Sequence, residues 1–292
     1  MRPVPNAVIG GSGLYQLEGL TGIEQVDIDT PFGKPSDTIV VGELGGIRVA
    51  FLPRHGRGHR ISPSELPVRA NIYALKSLGV KRIIASSACG SLREDLAPRH
   101  IVIPDQLYDR TRHRRPQTFF DEGIVAHIGF ADPFCPNLRQ VLVQAARDAG
   151  ATVHDGGTMV VMEGPQFSTR AESAIYRRLG LDTIGMTALP EAKLAREAEI
   201  CYASMNLVTD YDVWYRGHDE VTVEMVVGNV QANLQTAKQI IRNALPKMEA
   251  ITDDAACPCS TALAGAIITN LASIPAAKKE QLRLLIGKYV QS

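Results

Sequence analysis

Two carboxylates, Asp210 and Asp212, stand two residues apart in the run Val208-Thr209-Asp210-Tyr211-Asp212-Val213-Trp214. The apolar stretch 200–207 before them reads as a buried strand, so both arrive where a strand leaves the core. That is where open α/β sheets keep their ligand sites. A carboxylate there accepts hydrogen bonds from an exocyclic amine, and one kept protonated by desolvation donates to a ring nitrogen. The competing reading is structural: either residue caps the next helix or pairs with a surface cation.

Residues suited to an anion occur in separate segments. Gly10-Gly11-Ser12-Gly13-Leu14 follows a short apolar strand, and its small residues let backbone amides and the Ser12 hydroxyl converge on a phosphate. A plain tight turn explains the same residues. The dinucleotide fingerprint fails at Gln16, and an ATP-type phosphate loop fails because Gly33-Lys34 is followed by Pro35 and Ile28 occupies the place of its first glycine. Arg54 offers a planar fork for phosphate oxygens and His55 a further donor. His55 and His59 are four apart, but glycines separate them and the glutamate of a metalloprotease helix is missing, which argues against a metal there. Ser87-Ala88-Cys89-Gly90-Ser91 has the small side chains that let a ligand approach the backbone, or simply make a tight strand end. Five basic or potentially basic residues fall within 110–115, yet Asp109, Asp121 and Glu122 flank them, so this reads as a solvated or phosphate-approach loop.

The elements that must position these groups alternate. Strands are expected at 6–9, 38–41, 47–52, 82–86, 101–104, 153–162, 183–184 and 200–207, and helices at 66–78, 138–149, 168–179, 191–198, 220–245, 261–271 and 276–290. Thr169 and Glu172 have capping-box spacing. This order predicts one α/β domain with a mainly parallel, helix-covered sheet and a helical C-terminal appendage. The 292 residues carry 31 basic and 31 acidic side chains, so a nucleic-acid or membrane-surface partner has little electrostatic support. No signal-peptide core and no apolar run of spanning length is found, which predicts a soluble, cytoplasmic protein. The five cysteines are too few and odd in number for a secreted disulfide framework. Cys89, Cys135 and Cys201 read as small packing thiols. Cys257-Pro258-Cys259 lacks the usual zinc-pair spacing and has no second Cys/His pair beside it; a local disulfide, a redox switch and two ordinary thiols stay open.

Several blocks together carry a family resemblance. Gly10-Gly11-Ser12-Gly13-Leu14, Asp29-Thr30-Pro31-Phe32-Gly33-Lys34-Pro35-Ser36, Arg54-His55-Gly56, Ala88-Cys89-Gly90-Ser91-Leu92-Arg93-Glu94, Glu163-Gly164-Pro165, Arg170-Ala171-Glu172 and Thr209-Asp210-Tyr211-Asp212 occur in order between residues 6 and 245. The sequence resembles the S-methyl-5'-thioadenosine phosphorylases of the purine nucleoside phosphorylase superfamily. The resemblance implies a three-layer α/β fold around a mixed, partly barrel-like sheet, assembled as a trimer or a dimer of trimers. Residues 1–250 would form the nucleoside phosphorylase domain and residues 251–292 a C-terminal helical extension of it.

By motif position the resemblance implies that Ser12, Arg54, His55, Ser87, Ala88 and Thr187 hold phosphate. Ser12 and Ser87 stand where many relatives have threonine. Met186 would lie under the ribose and Phe167 beside the base or sugar, with Tyr211 also among the substrate-binding residues. His127 matches a residue that relatives contribute across the subunit interface to the 5'-substituent pocket. Ser168 and Val223 occupy positions associated with substrate choice, and a small apolar Val223 suits a methylthio group; a core position on the long helix is its structural alternative. Phosphate would attack the anomeric carbon, Asp210 would protonate N7 of the departing adenine, and Asp212 would help bind the 6-amino group. No metal or organic cofactor is implied, phosphate being a co-substrate. A 6-oxopurine enzyme, a hydrolytic nucleosidase and a non-catalytic nucleoside-binding module are the alternatives. Asp210 favours the first reading over the 6-oxopurine one, where an asparagine amide would suit the carbonyl better.

Overall fold

The computed structural model describes residues 2–11, 13, 14, 17–215, 223–251 and 257–290, with residues 223–226 described by their backbone alone. Ser12 and the side chain of Val223 therefore lie outside the described residues.

The fold is organised by β5 (Arg82–Ser91), which pairs in parallel with β1 (Asn6–Gly10) and β11 (Cys201–Asp210) and, at its C-terminal end, antiparallel with β10 (Thr183–Gly185). On the β1 side follow β4 (Ile47–Pro53), β3 (Ile39–Leu44) and the edge strand β2 (Leu20–Val26). Beyond β10 lie β9 (Thr158–Met162) and β7 (Gln106–Arg110), and beyond β11 lie β6 (Ile101–Ile103) and β8 (Val153–Asp155). The eleven-stranded sheet is mixed, branches at β5 and does not close. The expected barrel-like character is thus limited to this branching.

Strand side chains alternate between two cores. Ala7 and Ile9, Ala50 and Leu52, and Ile83 and Ala85 face one cluster; Val8, Val49, Phe51 and Ile84 face the other. The first core is covered by α1 (Val68–Ser77), α4 (Ala188–Glu197) and the C-terminal residues Leu263, Leu282, Leu285 and Ile286. The second is covered by α2 (Pro136–Asp148) and α5 (Val223–Glu249), whose Ala237, Ile240, Ile241, Ala244, Leu245 and Met248 keep helical spacing on one buried stripe. Each large aliphatic side chain so buried contributes about 1.5–3 kcal/mol. Helix, sheet and helix make three layers. No helix among the described residues is long and apolar enough to cross a membrane.

The expected strand 153–162 is two strands, broken at Gly156 and Gly157, whose φ values of +102° and +110° only glycine tolerates readily. The capping box forms as expected on α3 (Arg170–Arg178), where the Thr169 hydroxyl accepts from the Glu172 amide. A helix over 261–271 does not form. Gly265 takes φ +71°, and the following β-branched residues run extended, with the Ile268 amide donating to the Val125 carbonyl at 3.0 Å. The last expected helix is two short ones, α6 (Ala276–Gln281) and α7 (Arg283–Ile286).

Candidate active site

The parallel core strands deliver their C-terminal ends to one edge. The Arg54 amide, just past β4, donates to the Gly10 carbonyl at 2.9 Å, which joins the glycine-rich turn to the Arg54 segment. The Arg54 side chain is 2 % exposed. Its Nε and Nη2 donate to the Glu191 carboxylate, both at 2.9 Å, and Nη1 donates to the Ser86 carbonyl at 2.9 Å. The Tyr202 hydroxyl donates to Glu191 Oε1 at 2.9 Å. Burial alone would lower the Arg54 pKa, but the Glu191 carboxylate outweighs it and holds the guanidinium above its ordinary value. Three of five N–H donors are spent, leaving two for an anion.

Ser87 is buried on β5, and its hydroxyl lies 3.2 Å from that of Thr187, at the start of α4. Ala88 is next along β5 and exposed. His55 is not the side-chain donor the sequence suggested. Its Nδ1 donates to the Ile61 carbonyl at 2.8 Å, and burial lowers its pKa to about 4, so near neutral pH the ring is uncharged and Nε2 offers only a lone pair.

Three residues along β5, roughly 10 Å from Ser87 at strand rise, Gly90 pairs with Asp210. The register skips Thr209, and this bulge turns the end of β11. The approach at Gly90 is close: a Cβ there would stand 3.0 Å from Asp210 Oδ1 and press on it. Asp210 and Asp212 are each 7 % exposed. The Asp212 amide donates to Asp210 Oδ1 at 2.8 Å. The Thr209 hydroxyl contacts both the Cys89 carbonyl, at 3.1 Å, and Asp210 Oδ2, at 2.7 Å. It has one proton for two acceptors, so a proton on Asp210 satisfies both contacts. Burial raises the Asp210 pKa; the Thr209 hydroxyl and the Asp212 amide oppose this, and the Asp212 charge adds to it. The Ser168 hydroxyl lies 2.7 Å from both oxygens of Asp212, which fixes that carboxylate.

Met186 adjoins Gly164, where a Cβ would collide with its sulfur, so the Glu163-Gly164-Pro165 turn packs directly against it. Phe167 is 49 % exposed. The ring of Tyr211 turns to an aromatic group, stacked on Tyr215 at 4.6 Å, and its hydroxyl donates to the Glu94 carbonyl at 3.0 Å. His127 stands apart and is exposed, on a stretch whose amide donates to the Ala266 carbonyl. An open cleft of about 1460 Å³, lined in part by Arg93, Arg177 and Trp214, meets these residues only at Ser168 and Asp212.

Sequence reasoning missed three participants. Glu191 and Tyr202 complete the Arg54 cluster. Arg115 belongs to the basic stretch expected to be solvated, yet it is 2 % exposed: Nη1 donates to the Met186 carbonyl at 3.2 Å, and Nε and Nη2 have no partner among the described residues. Its four basic neighbours in the stretch are exposed, as expected.

A family profile described as "Phosphorylase superfamily" matches residues 5–246. The chain belongs to that superfamily. It is 57 % identical over 283 residues to the S-methyl-5'-thioadenosine phosphorylase of Geobacter sulfurreducens, covering 97 % of this chain and 98 % of the relative. Identity to the enzyme of the same name from Chloroflexus aurantiacus is 58 % over 289 residues, 99 % of each. Among solved structures, a methylthioadenosine phosphorylase from an antarctic soil metagenomic library superimposes with a TM-score of 0.93 at 48 % identity, covering 98 % of this chain and 99 % of that one. The Schistosoma mansoni methylthioadenosine phosphorylase in complex with adenine gives 0.82 at 38 % identity, covering 90 % and 98 %.

Proposed function

We infer that this member of the phosphorylase superfamily catalyses the reversible phosphorolysis of S-methyl-5'-thioadenosine to adenine and 5-methylthioribose 1-phosphate. The observation that carries the reading is the pairing, at one sheet edge, of a buried carboxylate with no cationic partner among the described residues, Asp210, with an arginine-centred anion cradle at Arg54, Ser87 and Thr187. Relatives bearing that enzyme name over nearly the whole chain support the substrate, and a solved relative with bound adenine supports the base.

In the proposed reaction, phosphate is held by the two remaining Arg54 N–H groups, Ser87, Ala88, Thr187, the His55 segment and the turn containing Ser12. A phosphate oxygen bonds to the anomeric carbon as the glycosidic bond breaks, and the bound anion stabilises the positive charge developing on the sugar. The bonding electrons leave with adenine, and Asp210 delivers its proton to N7. Asp212, oriented by Ser168, accepts from the 6-amino group. Met186 and Phe167 pack on the ribose and base, and Tyr211 backs the Asp210-Asp212 turn; Val223, whose side chain lies outside the described residues, is of a type that suits a methylthio substituent. Phosphate is the only co-substrate needed.

We further propose a trimer or dimer of trimers in which His127 completes a neighbour's 5'-substituent pocket, and a single domain in which residues 251–292 extend residues 1–250. The first is supported by exposed Val125 and Ile268 beside His127, the second by the shared core of Leu263, Leu282 and Ile286.

The test is base release from methylthioadenosine, adenosine, methylthioinosine and inosine, each with and without phosphate, followed by chromatography. Phosphate-dependent adenine release from methylthioadenosine is expected to be fastest. Release that ignores phosphate would sink the phosphorylase reading, and faster release of hypoxanthine would sink the base assignment.

A further inference from the structure

At the opposite end of β11 from Asp210, four cysteines converge. Cys135 precedes α2, Cys201 opens β11, and Cys257 and Cys259 begin the C-terminal segment. The four sulfurs all lie within 4.8 Å of one another, and three of the four residues are fully buried. Cys257 Sγ is 3.4 Å from both Cys135 Sγ and Cys201 Sγ. Sequence alone separates them, because the partners of the Cys-Pro-Cys run lie 122 and 56 residues earlier.

We propose that Cys135, Cys201, Cys257 and Cys259 form a tetrathiolate site for a structural divalent ion of the zinc class, which fastens the C-terminal segment to the base of the strand that carries Asp210. A tetrahedral zinc ion with Zn–S distances of about 2.3 Å sets neighbouring sulfurs roughly 3.8 Å apart. The 3.4 Å contacts and the 4.8 Å limit bracket that value, so the ion fits with small side-chain shifts. All-sulfur ligation in tetrahedral array selects zinc over harder ions. Two disulfides fit less well. Cys257 stands equally close to Cys135 and Cys201 and so is not paired off with either, and joining Cys135 to Cys201 would leave Cys257 to close a tight ring with Cys259.

The surroundings suit thiolates. Binding converts four thiols and one Zn²⁺ into a complex of charge −2 and releases four protons. Cys135 is the N-cap residue of α2, at the positive end of its dipole. Arg82, the register partner of Cys201 on β5, is buried and donates to the Ile251 carbonyl at 2.7 Å, which brings a permanent cation to this strand end.

The full-length chain, produced with added Zn²⁺ and purified without oxygen, tests this by metal analysis and by thiol titration in denaturant with chelator. About one zinc per chain is expected, together with all five thiols. Replacement by Co²⁺ should give the intense red-region bands of a tetrahedral tetrathiolate. Cys257→Ser with Cys259→Ser should lose at least about ten-fold in bound metal and raise hydrogen exchange in 257–290, whereas Cys89→Ala should retain the metal. If the double variant does not fold, the cobalt spectrum and stoichiometry of the unaltered chain decide. Metal-free protein with fewer than five thiols would establish disulfides instead, and five thiols with no zinc retained would equally overturn the proposal.

Discussion

Arg54 and Asp210 sit at the same sheet edge and are almost equally buried, yet their environments hold their protons in opposite ways. Arg54 meets Glu191 in a two-bonded ion pair whose side chains are 3 % and 1 % exposed, and the pair keeps the guanidinium charged. Asp210 meets a hydroxyl, an amide and a second carboxylate, with no cation among its hydrogen-bond partners in the described residues, and burial moves it toward its neutral acid. Burial with a counter-charge makes a fixed electrostatic cradle, and burial without one makes a proton donor. The difference separates the half of the site that binds an anion from the half that serves a leaving base.

The largest effect that can break this comparison is on turnover. Asp210→Asn should reduce kcat for methylthioadenosine by about 10²–10⁴-fold, while the KM for phosphate changes little; equal losses in both would make Asp210 a structural residue. Next, Arg54→Met leaves Glu191 buried and unpaired and should cost about 3–5 kcal/mol in urea unfolding. A loss below about 1 kcal/mol would mean that the pair is solvated. Glu197 sharpens the same contrast in the scaffold. It accepts from the Thr118 hydroxyl and the Phe119 amide with no bonded cation among the described residues, and burial pushes it up to about 7. A carboxyl raised on folding stabilises below its unfolded pKa, and that contribution is lost as pH rises through its folded value. Stability should therefore fall by on the order of 3 kcal/mol between pH 4.5 and 7, and Glu197→Gln should remove that decline. The smallest effect is that of Ser168→Ala, which removes the hydroxyl that fixes Asp212. Loss of about 1 kcal/mol, or roughly five-fold in kcat/KM for the aminopurine substrate, is expected from steady-state kinetics.

The strand-end position of Asp210 was legible because a buried apolar run followed by polar residues defines both the strand and its exit. The capping box at Thr169 was legible because it is local. What escaped depended on distant partners. Glu191 sits in an ordinary helical stretch and gains its meaning from Arg54, 137 residues away. Arg115 looks like its exposed basic neighbours until the chain folds the Met186 carbonyl onto it. The helix expected over 261–271 failed because pairing with residues 125–127 outweighed local propensity, and the cysteine cluster joins three segments that no spacing rule connects. His55 reads from sequence as a free donor, but its Nδ1 is committed to the Ile61 carbonyl, six residues on and brought back by the fold.

The central claim is that the Asp210 proton reaches the leaving base, and the pH dependence of kcat/KM for methylthioadenosine tests it most directly. Because the Asp210 pKa is raised, the unaltered enzyme should lose activity as pH rises through that value, and Asp210→Asn should abolish this alkaline limb while leaving the rest of the profile in place. A limb that persists unchanged in Asp210→Asn would contradict the account.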